Sequence, residues 1–459
     1  MHDIGGKKVG IWGLGVFGKS LAHFLATHKK VILSLYDSKK IVSLDDAQLK
    51  QWNASLYSPD TLSSFLQENE YIFPSSGIDL RPYQAYKHKF ISELDFFYAY
   101  WKKPVIAITG TIGKTTITST LNKIFELTHQ GIALGGNIGI GLPDLLMLDS
   151  SIKGALLELS SFQLELGTQG APDLAVITNI YPNHLDRHDT FDHYFQSKFR
   201  MIALQSAHQR ALIPLELSPY VYADPILSVR KYAFFIDRAL AESDYQMLVP
   251  GASVYYCNDE GRVYKYTQGV HVQITDEPLP STSYQVNWLI VAAILDLMNM
   301  PTQVIAQYSA LIAPPEHRLA CIAEHAGIFF YNDSKATVFQ SMLAAVKKLS
   351  GKPIVLFLGG LSKGVDRRPS VEALSGLVRF VICFGKEAHS LADMCKEYGI
   401  AAQAYGTLEE AFNACVMHIQ RPGDHVLFSP AGASYDLFED YIKRGERFIQ
   451  LVQHYIQGR

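Results

Sequence analysis

The sequence predicts an α/β protein in three parts, each a mainly parallel sheet covered by helices. Three observations carry that reading. Short β-rich runs ending in Gly, Asp or Ser alternate with helical stretches, the pattern of strand–helix–strand crossovers. Two glycine loops each follow such a run. Fresh starts after Lys102-Lys103-Pro104 and after Pro314-Pro315 put boundaries near 101 and 315, dividing the chain into residues 1–101, 102–315 and 316–459. Length agrees, since 459 residues at roughly 150 per domain suggest three.

The elements follow in order. Lys8–Trp12 reads as a strand, followed by Gly13-Leu14-Gly15-Val16-Phe17-Gly18, a helix to about His28, and strand Val31–Tyr36 ending at Asp37. Strand Val105–Thr109 runs into the second glycine loop, and strands are expected at Ala155–Glu158 and Leu174–Thr178. From Tyr222 to Thr275 the pattern is β-like and less regular, with a turn at Asn258-Asp259-Glu260-Gly261. Trp288–Met298 is apolar but carries Asp296 and is too short to span a bilayer, so it reads as a buried helix. The last third shows strands at Ile328–Tyr331, Ile354–Leu358, Phe380–Phe384 and His425–Phe428.

Composition excludes several classes. Hydrophobic residues make up 48% and charged residues 19%, which rules out a disordered chain. A net charge of −3 provides no global basic field for nucleic acid or an anionic membrane. The five cysteines (Cys257, Cys321, Cys383, Cys395 and Cys415) are scattered and form no CxxC pair. Neither a zinc site nor a disulfide framework is expected, and a reducing cytoplasm fits. Lys7 and Lys8 precede a glycine-rich run too short for an export-signal core, so no membrane insertion is expected.

The first loop, GLGVFG, is a G-x-G-x-x-G between strand and helix. Its glycines permit a tight turn and close approach to a diphosphate, and the helix N-terminus supplies N–H donors. Asp37 could accept hydrogen bonds from a ribose or a base, a spacing that also suits NAD. The alternative is a purely structural turn. The second loop is Thr109-Gly110-Thr111-Ile112-Gly113-Lys114-Thr115-Thr116, the short G-x-x-G-K-T form, with Ile108 where a longer P-loop has its first Gly. Successive N–H groups make an anion cradle, Lys114 brings a cation to the β/γ-phosphates and Thr115 offers a hydroxyl to Mg²⁺. A simple dehydrogenase or a simple ATPase needs one such loop. An enzyme transferring phosphate to a second, nucleotide-tagged substrate would use both.

Other polar groups gather at strand ends. Glu158, in ELSSFQLE, could hold Mg²⁺ or cap the next helix, where Ser160 and Ser161 also look like caps. The segment Ile177-Thr178-Asn179-Ile180-Tyr181-Pro182-Asn183-His184-Leu185-Asp186-Arg187-His188 leaves a strand and gathers His184, Asp186, Arg187 and His188, a density unusual for a packing loop that favours a ligand or substrate contact. His184 and His188 stand at i, i+4 without a third zinc ligand at regular spacing. Composition alone makes Lys198 an ordinary helix lysine. Asn332-Asp333-Ser334-Lys335-Ala336-Thr337, Gly359-Gly360-Leu361-Ser362-Lys363-Gly364 and Ser429-Pro430-Ala431-Gly432-Ala433-Ser434 each follow a strand, so they converge on one sheet edge. Lys335 and Lys363 suit a carboxylate or a phosphate.

Taken together these motifs resemble the Mur ligases of peptidoglycan synthesis. The likeness spans the chain through GLGVFG, SSGI (Ser75–Ile78), TGTIGKTT, GGNIG (Gly135–Gly139), ELSSFQLE, NHLDRH, HRLA (His317–Ala320), NDSKAT, GGLSKG and SPAGASYDLF. TGTxGKTT is shared with folylpolyglutamate synthases, whereas ELSSFQLE and NDSKAT point to the branch that joins D-glutamate to UDP-N-acetylmuramoyl-L-alanine. The resemblance implies a Rossmann-like N-terminal domain for the UDP-sugar, a P-loop ATPase-like central domain and a Rossmann-like C-terminal domain for the amino acid. It also implies a cytoplasmic monomer with small-molecule partners and no nucleic acid. The reaction it implies uses ATP and two Mg²⁺ ions and passes through an acyl phosphate.

Roles carry over position by position. Gly110, Thr111, Gly113, Lys114, Thr115 and Thr116 would bind ATP, with Lys114 on the γ-phosphate and Asn287, Arg318 and Asp333 at adenine and ribose. Thr115 and Glu158 would bind the first Mg²⁺ and His184 the second, and Lys198 aligns with the lysine that the family carbamylates. Val16, Phe17, Asp37, Ser38, Ser75 and Gly77 would hold uridine diphosphate, with Asn137 and His184 toward the muramoyl part. Lys335, Thr337, Lys363, Ser434 and Tyr441 would frame the glutamate, with Lys335 also among the catalytic groups. The chain departs from the family pattern at Ile112, Asn183, Ser283-Tyr284, Val338, Gly432 and Tyr441. Competing expectations are another acceptor such as L-glutamate, a silent nucleotide-binding paralogue, and an NAD dehydrogenase, which would leave Lys114 unused.

Overall fold

The computed structural model describes residues 4–38, 46–223, 232–248, 251–281, 284–313, 315–419 and 421–458. Ser283 and Pro314, singled out in the sequence, lie outside the described residues. Among these residues the chain forms an α/β fold with three sheets.

The first sheet contains β1 (Lys8–Trp12), β2 (Ile32–Tyr36), β3 (Ala54–Tyr57) and β4 (Tyr71–Pro74) in the order β3-β2-β1-β4, all parallel. The helix Val16–His28 leaves β1 without a side-chain cap at Gly15. Gly18 in its first turn is buried against the preceding loop, where a Cβ would collide with Gly13 O. That close approach is why the third glycine of the motif is needed.

The second sheet runs β13-β12-β11-β10-β9-β8-β5-β7-β6. Its strands are β5 (Val105–Thr109), β6 (Ile132–Gly136), β7 (Gly154–Glu158), β8 (Leu174–Ile177), β9 (Arg210–Pro214), β10 (Tyr232–Ile236), β11 (Ser253–Cys257), β12 (Val263–Thr267) and β13 (Val270–Gln273). The strands from β6 to β11 pair in parallel, and β12 and β13 turn back antiparallel. Every residue of β5, β7 and β8 is buried, which explains their unbroken apolar runs. The turn expected at Asn258–Gly261 joins β11 to β12, with Gly261 N donating to Asn258 O at 2.9 Å. The apolar stretch read as a buried helix is Gln285–Leu297, buried without a break from Asn287 to Leu295. It packs with the helix Lys114–Leu127 into one core cluster.

The third sheet has the order β14-β15-β19-β16-β17-β18, with β14 (Ala320–His325), β15 (Ile328–Asn332), β16 (Ile354–Gly359), β17 (Phe380–Phe384), β18 (Ala402–Tyr405) and β19 (His425–Phe428). All its pairs are parallel except the β14–β15 hairpin, which the sequence reading left out. The hairpin's half-exposed pattern carries little apolar signal. The chain divides into two compact units. One holds 1–180 with 195–313, and the other holds 181–194 with 314–459. The five cysteines are unpaired, and no helix among the described residues is long and apolar enough to cross a membrane.

Leu289 is fully buried in the Gln285–Leu297 helix. Leu289→Ala is expected to destabilise the first unit by about 2–5 kcal/mol, read from urea titration followed by tryptophan fluorescence. A loss below about 1 kcal/mol would show that this helix is not part of the core.

Candidate functional site

In the first sheet the strand order reverses between β1 and β4, the place where parallel sheets bind ligands. Gly13 adopts φ +93°, its N–H donates to Tyr36 O, and Leu14 N donates to Asp37 Oδ2, both at 2.8 Å. Ser75, at the end of β4, donates through Oγ to Gly13 O at 3.2 Å. Asp37 and Ser75 thus shape the glycine turn. Val16 is 76% exposed at the start of the helix, Phe17 is half-buried, and Ser38 and Gly77 are exposed.

The second loop sits at the corresponding reversal, with β5 between β7 and β8. Gly110 has φ +145° and a Cβ there would collide with Thr178 Oγ1, while Gly113 has φ +89°. The end of β8 clamps the loop. Thr111 N donates to Asn179 O and Ile112 N to Asn179 Oδ1, each at 3.0 Å, and Thr178 Oγ1 donates to Ile112 O at 2.6 Å. Thr178 and Asn179 were not singled out in the sequence; their only signal is their place at a strand end. The unusual Ile112 is held through its backbone N–H and carbonyl.

Charged groups surround this loop. Lys114 Nζ donates to Gly110 O at 2.8 Å and Thr111 O at 3.0 Å. Lys198, from the helix Phe191–Ala203, is buried and donates to the same Gly110 O at 2.9 Å and to Thr109 Oγ1 at 3.3 Å. Burial, with the Lys114 charge adding to it, holds its amine well below the usual lysine range; Glu158 opposes the shift. Glu158 is 1% exposed at the end of β7, and the following helix is capped by Ser160 and Gln163 instead, so the capping alternative for Glu158 falls. Its Oε1 accepts from Asn137 Nδ2 at 2.8 Å, while Oε2 is buried without a hydrogen-bond partner among the described residues. An orphaned carboxylate oxygen suits a hard cation, and the half-buried Thr115 adds a hydroxyl on the same loop. Asn287 Oδ1 lies about one contact distance, 3.1 Å, from where a Cβ on Gly113 would be, so it borders the loop. Thr116 is buried.

The second unit gathers the remaining candidates. His184, at φ +55°, starts the short helix Leu185–His188, whose Arg187 and His188 N–H groups return to His184 O. Asp186 N donates to Lys363 O at 3.2 Å, which ties this segment to the turn after β16. After β15, Asp333 is buried and accepts from Ser429 Oγ at 2.6 Å and Leu319 N at 3.1 Å. Burial pushes its carboxyl up to about 7, against the pull of Ser429 and the Arg318 charge. Lys335 Nζ lies 5.1 Å from the Tyr441 ring centroid, a cation–π geometry, and Thr337 N donates back to Lys335 O at 2.9 Å. Ser434 is buried. Arg444, which the sequence reading missed, is fully buried and donates to Ser334 O, Ser334 Oγ and Gly432 O at 2.7, 3.1 and 2.9 Å. It joins two of the strand-end loops.

Comparison with known proteins adds sequence-wide evidence. A model of the Mur ligase middle domain matches residues 108–275, and one described as Mur ligase, glutamate ligase domain, matches 317–432. A UDP-N-acetylmuramoylalanine--D-glutamate ligase of a Thermoanaerobacter species is 32% identical, covering 98% of this chain and 99% of that relative. One of the same name from Acidobacterium capsulatum is 34% identical over 98% of this chain and 97% of its own. The fold is shared with the UDP-N-acetylmuramate-alanine ligase of Thermotoga maritima, with TM-score 0.55, 14% identity and coverage of 98% and 100%. The chain belongs to the Mur ligase family.

Asp333 holds its proton in the folded state up to about pH 7, far above the range of an unfolded carboxyl. Its contribution to stability is therefore full below about pH 4 and is lost as pH rises through about 7. Asp333→Asn is expected to flatten the fall in the second unit's unfolding midpoint between about pH 4 and 8, measured by scanning calorimetry. An unchanged slope would mean the carboxyl is already ionised at low pH.

Proposed function

We propose that this chain is an ATP-dependent ligase that adds D-glutamate to UDP-N-acetylmuramoyl-L-alanine in the cytoplasm, working as a monomer of three domains, residues 1–101, 102–315 and 316–459. The observation that carries the reading is the convergence of Lys114, the buried Lys198 and the orphaned Glu158 oxygen on one glycine turn. Full-length relatives at about 30% identity carry that activity in their names. The UDP-sugar would meet the first glycine turn through Val16, Phe17, Asp37, Ser38, Ser75 and Gly77. Asn137, which holds Glu158 in place, would also face the muramoyl end.

The chemistry divides into two displacements. The substrate carboxylate oxygen attacks the γ-phosphorus of ATP, and the bond to ADP breaks, giving an acyl phosphate. The amine of D-glutamate then attacks that carbonyl, phosphate leaves and the nitrogen loses its proton. A carboxylate is a poor electrophile, so the protein's work is to neutralise charge and hold the reactants in line. The turn's N–H groups and Lys114 would draw charge off the transferring phosphoryl group. Thr115 and Glu158 would hold one Mg²⁺ and His184 a second; bound there, the ions offset phosphate charge. The depressed amine of Lys198 is the condition for a neutral nitrogen that can add CO₂, which would turn a cation into a carboxylate beside Glu158. Asn287, Arg318 and Asp333 would take adenine and ribose. Lys335, Thr337, Lys363, Ser434 and Tyr441 would bind the amino acid.

Phosphate release is the test, with ATP, Mg²⁺, bicarbonate, UDP-N-acetylmuramoyl-L-alanine and a panel of amino acids. D-Glutamate is expected to be the preferred acceptor. Preference for L-glutamate would move the specificity, and no release with any amino acid would leave a nucleotide-binding paralogue. Lys114→Ala is expected to lower turnover by at least about a hundredfold. It should leave UDP-sugar affinity within about twofold, since the sugar is read on another sheet. A collapse of UDP-sugar binding in that variant would break the assignment of the two turns.

A further inference from the structure

Strand β16 ends at Gly359 and turns through Gly360-Leu361-Ser362-Lys363-Gly364. The turn is held at successive points. Arg367, 8% exposed, donates through Nη2 to Gly360 O at 3.0 Å and through Nη1 to Gly359 O at 3.4 Å. Its Nε lies 3.4 Å from Glu387 Oε2, and the other Glu387 oxygen accepts from Ser362 N at 2.8 Å. Between these points Leu361 and Ala433 exchange backbone hydrogen bonds at 2.8 and 2.9 Å. Lys363 then emerges at φ +55°, a conformation a lysine keeps only where its surroundings hold it.

Room for the guanidinium comes from residue 432. Gly432 does not occupy a left-handed φ, so its backbone would accept any residue. Space forbids one, because a Cβ would collide with Arg367 Nη2 and with Gly359 O. Arg444 holds Gly432 O from the other side at 2.9 Å. A planar fork reaching two carbonyls and a carboxylate is something arginine supplies and lysine does not.

We propose that Arg367 and Glu387 are positioning residues that set the Lys363 turn for the carboxylate of the incoming amino acid, and that Gly432 is left bare to admit the Arg367 guanidinium. The inference rests on the reading of this turn as part of the amino-acid site.

The experiment combines steady-state kinetics of the full chain with acetic anhydride labelling of Lys363, scored by peptide mass spectrometry against the exposed Lys443. Arg367→Met is expected to raise KM for the amino acid by about tenfold or more, with KM for ATP and UDP-sugar within about twofold. Gly432→Ala should do the same, and Arg367→Lys should recover part of the loss. Labelling of Lys363 should change by about threefold or more in Arg367→Met. Glu387 is half-exposed, so Glu387→Gln supplies the same readouts if Arg367→Met does not fold. The proposal is overturned if the folded variants keep the amino-acid KM within about twofold and leave Lys363 labelling unchanged, or if all three KM values rise together. Absence of ligation by the unaltered chain would instead sink the functional reading, and the labelling arm would still decide the clamp.

Discussion

Lys114 and Lys198 both donate through Nζ to one carbonyl oxygen, that of Gly110, and the glycine turn is arranged around that contact. A carbonyl with two cations on it exists only where the backbone is forced to point it inward. Here the glycine φ of +145° and the clamp from Thr178 and Asn179 do so. Like charges at such range repel, and burial removes the water that would screen them. Lys198 relieves the repulsion through a weakened hold on its proton. Glu158, whose charge opposes the Lys198 shift, is itself tied up on one side by Asn137. The turn therefore combines two lysine Nζ donors with a carboxylate oxygen, Glu158 Oε2, that has no hydrogen-bond partner among the described residues. A phosphate chain with its metal complements both.

Parallel topology explains why the polar groups lie where they do. Residues that hold a ligand must stand on the rigid end of a strand and yet not be buried in the sheet. Only the C-terminal ends beside a reversal in strand order satisfy both demands. All three sheets use that location. Gly13 and Ser75 meet there in the first, the clamped glycine turn and Glu158 in the second, and the loops after β15, β16 and β19 in the third. The third sheet differs in how its loops are fixed. Buried arginines, Arg444 and Arg367, donate to carbonyls of the loops that carry its lysines, so those loops rest on a charged scaffold.

Strands that are almost wholly buried were legible from their mainly apolar runs, and β5, β17 and β19 match the expected spans residue for residue. The glycine turns were legible because only glycine tolerates their backbone angles, which leaves a mark in composition. Less visible was β14, whose residues are exposed or half-exposed and show no regular apolar period. Thr178, Asn179, Arg367 and Arg444 were also missed, for a different reason. Thr178, Asn179 and Arg444 act on backbone atoms of distant segments and Arg367 on carbonyls seven and eight residues earlier, and a peptide group carries no sequence identity for a motif to match.

Residue order alone determined the alternation of strands and helices, the two glycine turns with their cation and carboxylate, and the membership these motifs imply. These are local properties, set by propensity, steric freedom and charge within a few residues. Tertiary structure decided which of the lysines loses its proton most readily, which carboxylate oxygen is left without a partner, and why residue 432 has no room for a side chain. Those properties depend on dielectric, distance and free volume, which come into being only when segments far apart in the chain pack against each other.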